Sequence, residues 1–337
     1  MLFRATTIAV TTTLLPFAAY AQEAFAPKVL ANTMFDGETK PWLDNLDLDR
    51  KIDIPGLPES APALSCNDDI CVMTTTMGFA NAAASVTAVA LSDKLDLSQT
   101  YTIIAGIAGV DPEEGTLGSA HWARYVVDGG LRHQIDPREI PEGWETGSLK
   151  LGTAEPGADG GWEAGSELFE LNPDLLTAAV EASKAVELAD SDQAAEYRAT
   201  YDADAAQQAP FVSACDTVSA DTYWHGTTIA AEMEDHVATL TGGNGTYCTS
   251  QMEDNATLTA LERGAQAGRL DFGRIAVVRT GSNFDRQAPE QSAAESLSAD
   301  SGAFGPATEN AFRVGNALAR EIIANWDEWQ DGVPASD

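Results

Sequence analysis

The sequence at residues 101–110 is YTIIAGIAGV, and the sequence at residues 274–285 is RIAVVRTGSNFD. Both segments begin with apolar and β-branched residues, which are typical of a buried strand, and both continue into glycine-containing ends. Outward from them, strand-like runs alternate with helical runs along nearly the whole chain. This alternation predicts an α/β fold with a mostly central sheet.

The expected elements follow the hydrophobic periodicity of the sequence. Strands are predicted at residues 28–35, 70–76, 101–107, 120–127 and 274–280, and helices at residues 79–91, 173–188, 222–240, 252–267 and 307–326. Asn172 and Pro173 are typical of a helix N-cap and first turn. Residues 128–165 are expected to run over the surface. Residues 288–305 are interpreted either as a disordered loop or as a lid over a pocket.

The first residues resemble a secretory signal peptide. Arg4 precedes an apolar stretch that ends in Ala19-Tyr20-Ala21, so cleavage is expected before Gln22. A membrane anchor is the alternative, which Pro16 and several threonines disfavour. No later segment approaches the roughly 20 apolar residues of a spanning helix. We therefore predict a signal peptide at residues 1–21 and a water-soluble periplasmic or secreted domain at residues 22–337.

The charge of the chain is strongly acidic, with 52 Asp and Glu residues against 19 Lys and Arg residues, a net charge of -33. Such a surface repels phosphate backbones and anionic lipids. Nucleic acid is therefore excluded as a partner. The acidity favours solubility and does not reveal a substrate.

The four cysteines fit an oxidising compartment. Cys66 and Cys71 flank a turn-like sequence and are predicted to form one disulfide. Cys215 and Cys248 would then form a second, worth about 3–4 kcal/mol by chain entropy. A zinc site is the competing hypothesis, but the spacings lack paired C-x2-C motifs, so no metal is expected.

Four short segments at predicted strand ends carry candidate chemistry. They are MFDGE at residues 34–38, TMGFANAA at 76–83, AGIAG at 105–109 and RTGSNFD at 279–285. In open α/β sheets, ligand sites gather at the carboxyl ends of strands. Each segment alone is weak evidence, because a glycine after a strand most often marks only a turn.

Taken in order, the motifs resemble those of the purine nucleoside permease family. They include AGIAGV at residues 105–110, GTLGS at 115–119, ARY at 123–125, FELN at 169–172, CDT at 215–217, YCT at 247–249 and EDNATL at 253–258. The likeness covers residues 27–326. The family in turn looks like a distant branch of the nucleoside phosphorylase and nucleosidase superfamily. This resemblance implies a single three-layer α/β/α domain with a mixed central sheet.

The superfamily resemblance also implies a binding site. Met252 and Glu253 would hold the ribose hydroxyls, since an ionised carboxylate accepts two donors at once. Ser282 and Asn283 would meet the purine near N7. The pocket would be completed by Gly78, Ala108 and Gly109. A second Met-Glu-Asp triplet, at residues 233–235, is interpreted as an ordinary helix face.

The implied chemistry is cleavage of an N-glycosidic bond. Related sequences usually carry Asp where this chain has Asn283, so acid catalysis would fall to Asp285. Water positioned by Asp36 or Glu38 is favoured as the nucleophile. Inorganic phosphate remains an alternative co-substrate. Its candidate ligands are Arg124, Arg279 and Arg286, each of which is equally interpreted as a structural ion-pair partner; no other cofactor is expected.

Two functions from different classes remain open at this point. One is an exported enzyme that cleaves purine nucleosides for salvage and uptake, with 6-oxopurines preferred because the Asn283 amide both donates and accepts. The other is a non-catalytic nucleoside-binding component that delivers its ligand to a separate membrane transporter. A homo-oligomer is compatible with both.

Overall fold

The computed structural model describes residues 24–334, so the predicted signal peptide and its cleavage site lie outside the described residues. The strands are β1 (Val29–Thr33), β2 (Arg50–Asp53), β3 (Ala63–Cys66), β4 (Ile70–Thr74), β5 (Tyr101–Val110), β6 (Ala120–Trp122), β7 (Tyr125–Asp128), β8 (Arg132–Gln134), β9 (Ser148–Lys150), β10 (Leu168–Glu170), β11 (Val212–Ala214), β12 (Asp216–Ser219), β13 (Tyr247–Gln251) and β14 (Ile275–Phe284). The helices are α1 (Asp36–Asn45), α2 (Phe79–Ala90), α3 (Pro173–Ser183), α4 (Asp192–Arg198), α5 (Thr227–Leu240), α6 (Asp254–Gln266), α7 (Ala293–Leu297), α8 (Phe304–Ala324) and α9 (Trp326–Trp329).

One mixed sheet of twelve strands organises the described chain. Its main path runs β10-β7-β12-β13-β5-β1-β4-β3-β2, and β14 pairs with both β5 and β6. The strands β4, β1, β5 and β14 are mutually parallel, whereas β13 runs antiparallel to β5. The prediction of an α/β fold with a mixed central sheet is confirmed.

Helices cover both faces of the central strands, as alternating side chains require. On one face, Leu30 of β1 and Ile104 of β5 share a core cluster with Leu258 of α6. On the other face, Ala31 of β1 packs in a second cluster with Leu318 of α8. Burial on both sides explains why the central strands are largely apolar, and it produces the expected three layers.

The predicted strand at residues 120–127 is two strands. The Asp216 carboxylate accepts hydrogen bonds from the backbone N–H groups of Arg124 and Tyr125, at 3.1 and 2.7 Å, where β6 ends and β7 begins. The two strands also have different neighbours, since β6 pairs with β14 and β7 pairs with β12. The break lets the chain cross from one part of the sheet to another.

Two expected helices are shorter than predicted. The helix that opens at Pro173 ends at Ser183, although Asn172 caps it as expected by accepting from the Asp174 N–H at 3.0 Å. The helix expected from residue 222 begins at Thr227, because Gly226 has a φ of 127°, a conformation that favours glycine. The five residues before Thr227 are therefore free to form a loop.

The two stretches without assignment are folded. Within residues 128–165, β8 and β9 form a separate two-stranded sheet. Within residues 288–305, α7 begins with a capping box between Ser292 and Glu295, so the interpretation as a disordered loop is wrong. This segment also reaches β14, because the Ser301 hydroxyl donates to the Ser282 carbonyl at 2.7 Å.

One of the two predicted disulfides is present. Cys66 and Cys71 are bonded across the turn between β3 and β4, which confirms that prediction. The predicted Cys215–Cys248 bridge is wrong for this structure, because both cysteines are free and buried. Burial and the neighbouring Cys215 thiol raise the pKa of the Cys248 thiol well above its ordinary value. A thiol held in its protonated form is a poor nucleophile for disulfide exchange.

Candidate functional site

A cavity opens where β1, β5 and β14 approach the loop before α5. Its volume is about 130 Å³. Its lining consists of Met34, Phe35, Glu38, Met77, Ile107, Ala108, Gly109, Thr222, Tyr223, Trp224, Ser250, Gln251, Met252, Glu253, Arg279, Ser282 and Asn283. Most of the lining is apolar, with a few convergent polar groups.

Glu253 lies between β13 and α6, where its side chain is buried against the cavity. Its Oε1 accepts from the Gly78 N–H at 3.0 Å, and its Oε2 accepts from the Met252 N–H at 3.2 Å. Gly78 has a φ of 90°, a conformation that favours glycine. Because a carboxylate has about four acceptor positions, Glu253 retains capacity for ligand hydroxyls.

Arg279 of β14 is the cation of the site and is completely buried. Asp254, also buried, holds it in a bidentate ion pair through Nε, at 3.0 Å, and Nη2. The Arg279 Nη1 donates to the Ile107 carbonyl at 3.0 Å, and Nη2 lies 3.5 Å from Glu253. Burial alone lowers the pKa of Arg279, but the surrounding carboxylates raise it above its ordinary value, so the guanidinium stays charged.

Glu38 of α1 brings a further carboxyl group to the cavity. Its Oε2 accepts from the Met34 N–H at 2.8 Å, and its Oε1 accepts from the Ile107 N–H at 2.7 Å. Burial raises the pKa of Glu38 to about 7, against the opposing charge of Arg279. A carboxyl with this pKa can release or accept a proton near neutral pH. Together, Glu38, Glu253, Asp254 and Arg279 form what we call the carboxylate cluster.

Ser282 and Asn283 form an amide corner beside Gly109. The Asn283 Nδ2 donates to the Phe284 carbonyl at 2.9 Å, and its Oδ1 accepts from the Ser282 hydroxyl at 3.0 Å. Asn283 also hydrogen-bonds with the Tyr223 side chain, which lowers the pKa of Tyr223 against the larger raising effect of burial. A Cβ at Gly109 would lie 3.0 Å from the Ser250 Oγ and 3.3 Å from the Asn283 Nδ2, so any larger residue would crowd this corner.

Sulfur-containing and aromatic side chains form an apolar wall of the cavity, made by Met34, Phe35, Met77, Tyr223 and Trp224. Trp224 is buried, whereas the Tyr223 and Met77 side chains are 56% and 58% exposed. Flat aromatic surfaces of this kind suit a planar ligand.

The structure gathers most of the expected site residues. Those that line the cavity are Glu38, Ala108, Gly109, Met252, Glu253, Ser282 and Asn283, and Gly78 contacts the cavity through its hydrogen bond to Glu253. Asp36 does not join them: it is exposed in the first turn of α1. Asp285 is buried away from the lining, where it accepts from the Tyr247 hydroxyl at 2.6 Å and the Arg286 Nε at 2.7 Å.

The remaining candidates lie elsewhere in the described chain. Arg286 pairs with Asp285 and, at 2.8 Å, with Glu234, while Arg124 pairs with Glu170 on the surface. The Met-Glu-Asp triplet at residues 233–235 therefore contributes the half-exposed Glu234 to the ion pairs of Arg286 and does not line the cavity, and its Met233 packs in the core.

Sequence reasoning missed the loop that carries Tyr223 and Trp224, because residues 222–226 were assigned to a helix. It also missed Gln251, whose Oε1 caps α6 by accepting from the N–H groups of Glu253 and Asp254, at 2.8 and 2.9 Å. The aromatic pair before Gly226 was the available signal for the loop.

A family model described as purine nucleoside permease matches residues 26–334. The chain belongs to the purine nucleoside permease family. A probable purine nucleoside permease of Schizosaccharomyces pombe is 37% identical over 322 residues, which is 91% of this chain and 92% of that protein. A purine nucleoside permease of Candida albicans is 35% identical over 320 residues, or 93% and 78% of the two chains. Despite the family's name, among residues 24–334 no helix is both long and apolar enough to cross a membrane.

Solved structures similar to this permease-family chain include nucleosidases. The 5'-methylthioadenosine/S-adenosylhomocysteine nucleosidase of Neisseria meningitidis, in complex with methylthio-immucillin-A, aligns with a TM-score of 0.53 at 13% identity, covering 88% of this chain and 99% of its own. Futalosine hydrolase of Helicobacter pylori aligns with a TM-score of 0.52 at 13% identity, covering 88% and 98%. The likeness establishes the nucleoside phosphorylase type of fold.

Proposed function

We propose that this chain binds purine nucleosides in the cavity and cleaves their N-glycosidic bond. The observation that carries the proposal is the pair of buried carboxyl groups, Glu38 and Glu253, that face one largely apolar cavity beside a buried guanidinium. Cleavage of this bond leaves positive charge on the sugar and negative charge on the purine. Carboxylates fixed next to the sugar stabilise the first of these charges.

The sugar binds against Glu253 in this proposal. Its carboxylate accepts hydrogen bonds from the ribose hydroxyls while Gly78 and Met252 hold it in place. Glu38 accepts a proton from the attacking group, a role that suits a carboxyl whose pKa burial raises to about 7.

The base binds against the apolar wall and the amide corner. The aromatic faces of Tyr223 and Trp224 suit a purine ring, and the Asn283 amide, which can both donate and accept, suits its N7 edge. An amide does not donate a proton, so Asn283 stabilises the departing base by hydrogen bonding alone. The position of Asp285 in its own ion-pair network leaves it no role at the base.

A second candidate function is nucleoside binding without cleavage, and a specific observation favours it. The relatives are named permeases, while no membrane-spanning helix is found within residues 24–334. In this alternative the chain binds a nucleoside without cleaving it and delivers it to a separate transporter. For both functions we propose an exported protein, and the Cys66–Cys71 disulfide supports an oxidising compartment.

The deciding experiment incubates the mature protein with inosine, guanosine or adenosine and measures free base by chromatography. Release of base supports cleavage, and tight binding without release supports the delivery function. Titration calorimetry with inosine then tests the site: Glu253→Ala should weaken binding by about 1.5–3 kcal/mol, the usual cost of deleting a charged hydrogen-bond partner.

The chain offers a matched control in Glu234, which occupies the same position of a second Met-Glu-Asp triplet but pairs with Arg286 outside the cavity. Glu234→Ala should leave the affinity for inosine unchanged. Equal losses in the two variants, or no loss in Glu253→Ala, would move the ribose site elsewhere.

A further inference from the structure

Tyr223 brings a hydroxyl group to the cavity beside the amide corner. Its side chain is 56% exposed, yet burial raises the pKa of its hydroxyl above the ordinary value. An edge of the ring therefore faces solvent, while the oxygen is turned towards the cavity that Tyr223 lines. A phenol with a raised pKa stays protonated at neutral pH, so this hydroxyl can donate a hydrogen bond to a ligand.

The loop that carries Tyr223 is fixed on both sides of it. Before Tyr223, the Asp221 Oδ1 accepts from the Phe79 N–H at 2.7 Å, in the first turn of α2. After Tyr223, the Gly226 N–H donates to the Asp285 carbonyl at 2.8 Å, just beyond β14. Because the two anchors lie on a helix and at a strand end, the loop holds the hydroxyl at a defined place.

The Asn283 amide donates a hydrogen bond to the Tyr223 oxygen. Its Nδ2 also donates to the Phe284 carbonyl at 2.9 Å, and this contact fixes the orientation of the amide because a carbonyl only accepts. The hydrogen bond between Asn283 and Tyr223 lowers the pKa of Tyr223. It has that effect when it is donated to the phenol oxygen, where it favours the charged form. The hydrogen of the Tyr223 hydroxyl is therefore left to be donated elsewhere.

We propose that the Tyr223 hydroxyl donates a hydrogen bond to the group at the six-position of the bound purine and so favours a 6-oxopurine over adenine. This inference rests on the proposed binding of the base with its N7 edge against Asn283. The six-position adjoins that edge of the purine, and the Tyr223 oxygen adjoins the amide. An oxygen at this position accepts the Tyr223 hydrogen. An amino group is itself a donor, so the hydroxyl hydrogen would lose its partner.

Titration calorimetry of the full mature chain compares inosine with purine riboside, the analogue that lacks a group at the six-position. The wild type should bind inosine about three- to tenfold more tightly, the factor that one hydrogen bond supplies. Tyr223→Phe keeps the ring on the apolar wall but removes the hydroxyl, so the two affinities should become equal. A general loss of packing would weaken both ligands alike and would leave their ratio unchanged.

Tyr197→Phe is the matched control. The Tyr197 hydroxyl lies 3.3 Å from both Gln291 and Ser296, outside the cavity lining. This variant should keep the wild-type ratio of the two affinities. A wild-type ratio of one, or a ratio that Tyr223→Phe leaves unchanged, would overturn the inference, and the first of these results needs no variant.

Product analysis separates this inference from the proposed cleavage. If base is released, the ratio of kcat/KM for inosine to that for adenosine should fall about three- to tenfold in Tyr223→Phe. If neither protein releases base but calorimetry shows the expected change, the contact of Tyr223 stands and the proposed cleavage fails. Release of base with the same ratio in both proteins would overturn the role of Tyr223 and leave cleavage standing. A wild type that binds none of these nucleosides overturns both.

Discussion

Replacement of Glu38 by Gln tests the energetic consequence of burying this carboxyl group. Burial raises its pKa from 4.5 to about 7, despite the opposing charge of Arg279 and the two backbone hydrogen bonds. Between these two values the unfolded chain has released the proton that the folded chain still binds. The free energy of unfolding therefore falls as the pH rises through this window.

The size of the effect follows from the same two values. At about 1.4 kcal/mol per pKa unit, the Glu38 carboxyl costs the wild type about 3 kcal/mol of stability between pH 4.5 and pH 7. Gln has nearly the same shape and stays neutral, so the variant lacks this loss. Relative to the wild type, its free energy of unfolding should rise by about 2–3 kcal/mol from pH 5 to pH 8.

The assay is urea-induced unfolding of both ligand-free proteins at pH 5 and pH 8. Asp111, whose pKa burial and the charge of Asp285 also raise to about 7, is present in both proteins and cancels in the difference. Asp36→Asn removes a charge from the same helix turn at an exposed position. Its free energy of unfolding relative to the wild type should not rise between pH 5 and pH 8. If the free energy of unfolding of Glu38→Gln differs from that of the wild type by the same amount at both pH values, the raised pKa of Glu38 is refuted.

Three further outcomes are expected. Asn283→Asp adds a protonatable group at the base, so the ratio of kcat/KM for adenosine to that for inosine should rise; an unchanged ratio would leave Asn283 as a turn residue only. Gly106→Ala places a Cβ 2.1 Å from the Met34 Cε and 2.5 Å from the Glu38 Oε1, so thermal unfolding should show a loss of about 1–3 kcal/mol and calorimetry a loss of inosine binding. Alkylation of the denatured, unreduced protein should label Cys215 and Cys248 only, and four labels before reduction, counted by intact mass, would disprove the Cys66–Cys71 bridge.

Much of the site was predictable because its residues lie at strand ends. The segments that carry Glu38, Gly109 and Asn283 lie at the carboxyl ends of β1, β5 and β14, and parallel strands bring these ends to one edge. Glu253 instead follows β13, which runs antiparallel to β5. The resemblance of these segments, taken in order, to the motifs of a known family was what associated them. Local pattern did not separate Glu38 from Asp36, since both stand in the first turn of α1 and only the direction of the side chain differs.

Position at a strand end did not predict a site residue where a neighbouring ion pair determines the direction of the side chain. Asp285 is one residue beyond β14 and looks available in the sequence, yet Arg286 and Tyr247 hold it away from the cavity. The Met-Glu-Asp triplets at residues 233–235 and 252–254 are identical in sequence. Only the packing of α5 and α6 makes one of them part of an ion-pair network and the other part of the cavity.

The sequence by itself determined the fold class, because hydrophobic periodicity and glycine at strand ends are local properties of the chain. Its resemblance to a known family indicated the family and most residues of the cavity. Tertiary structure alone decided the electrostatics. The pKa of Glu38 depends on burial and on a guanidinium 241 positions away in the chain, and the pKa of Arg279 depends on burial and on Asp254. Such interactions act through space and weaken with distance in three dimensions, so no local pattern encodes them.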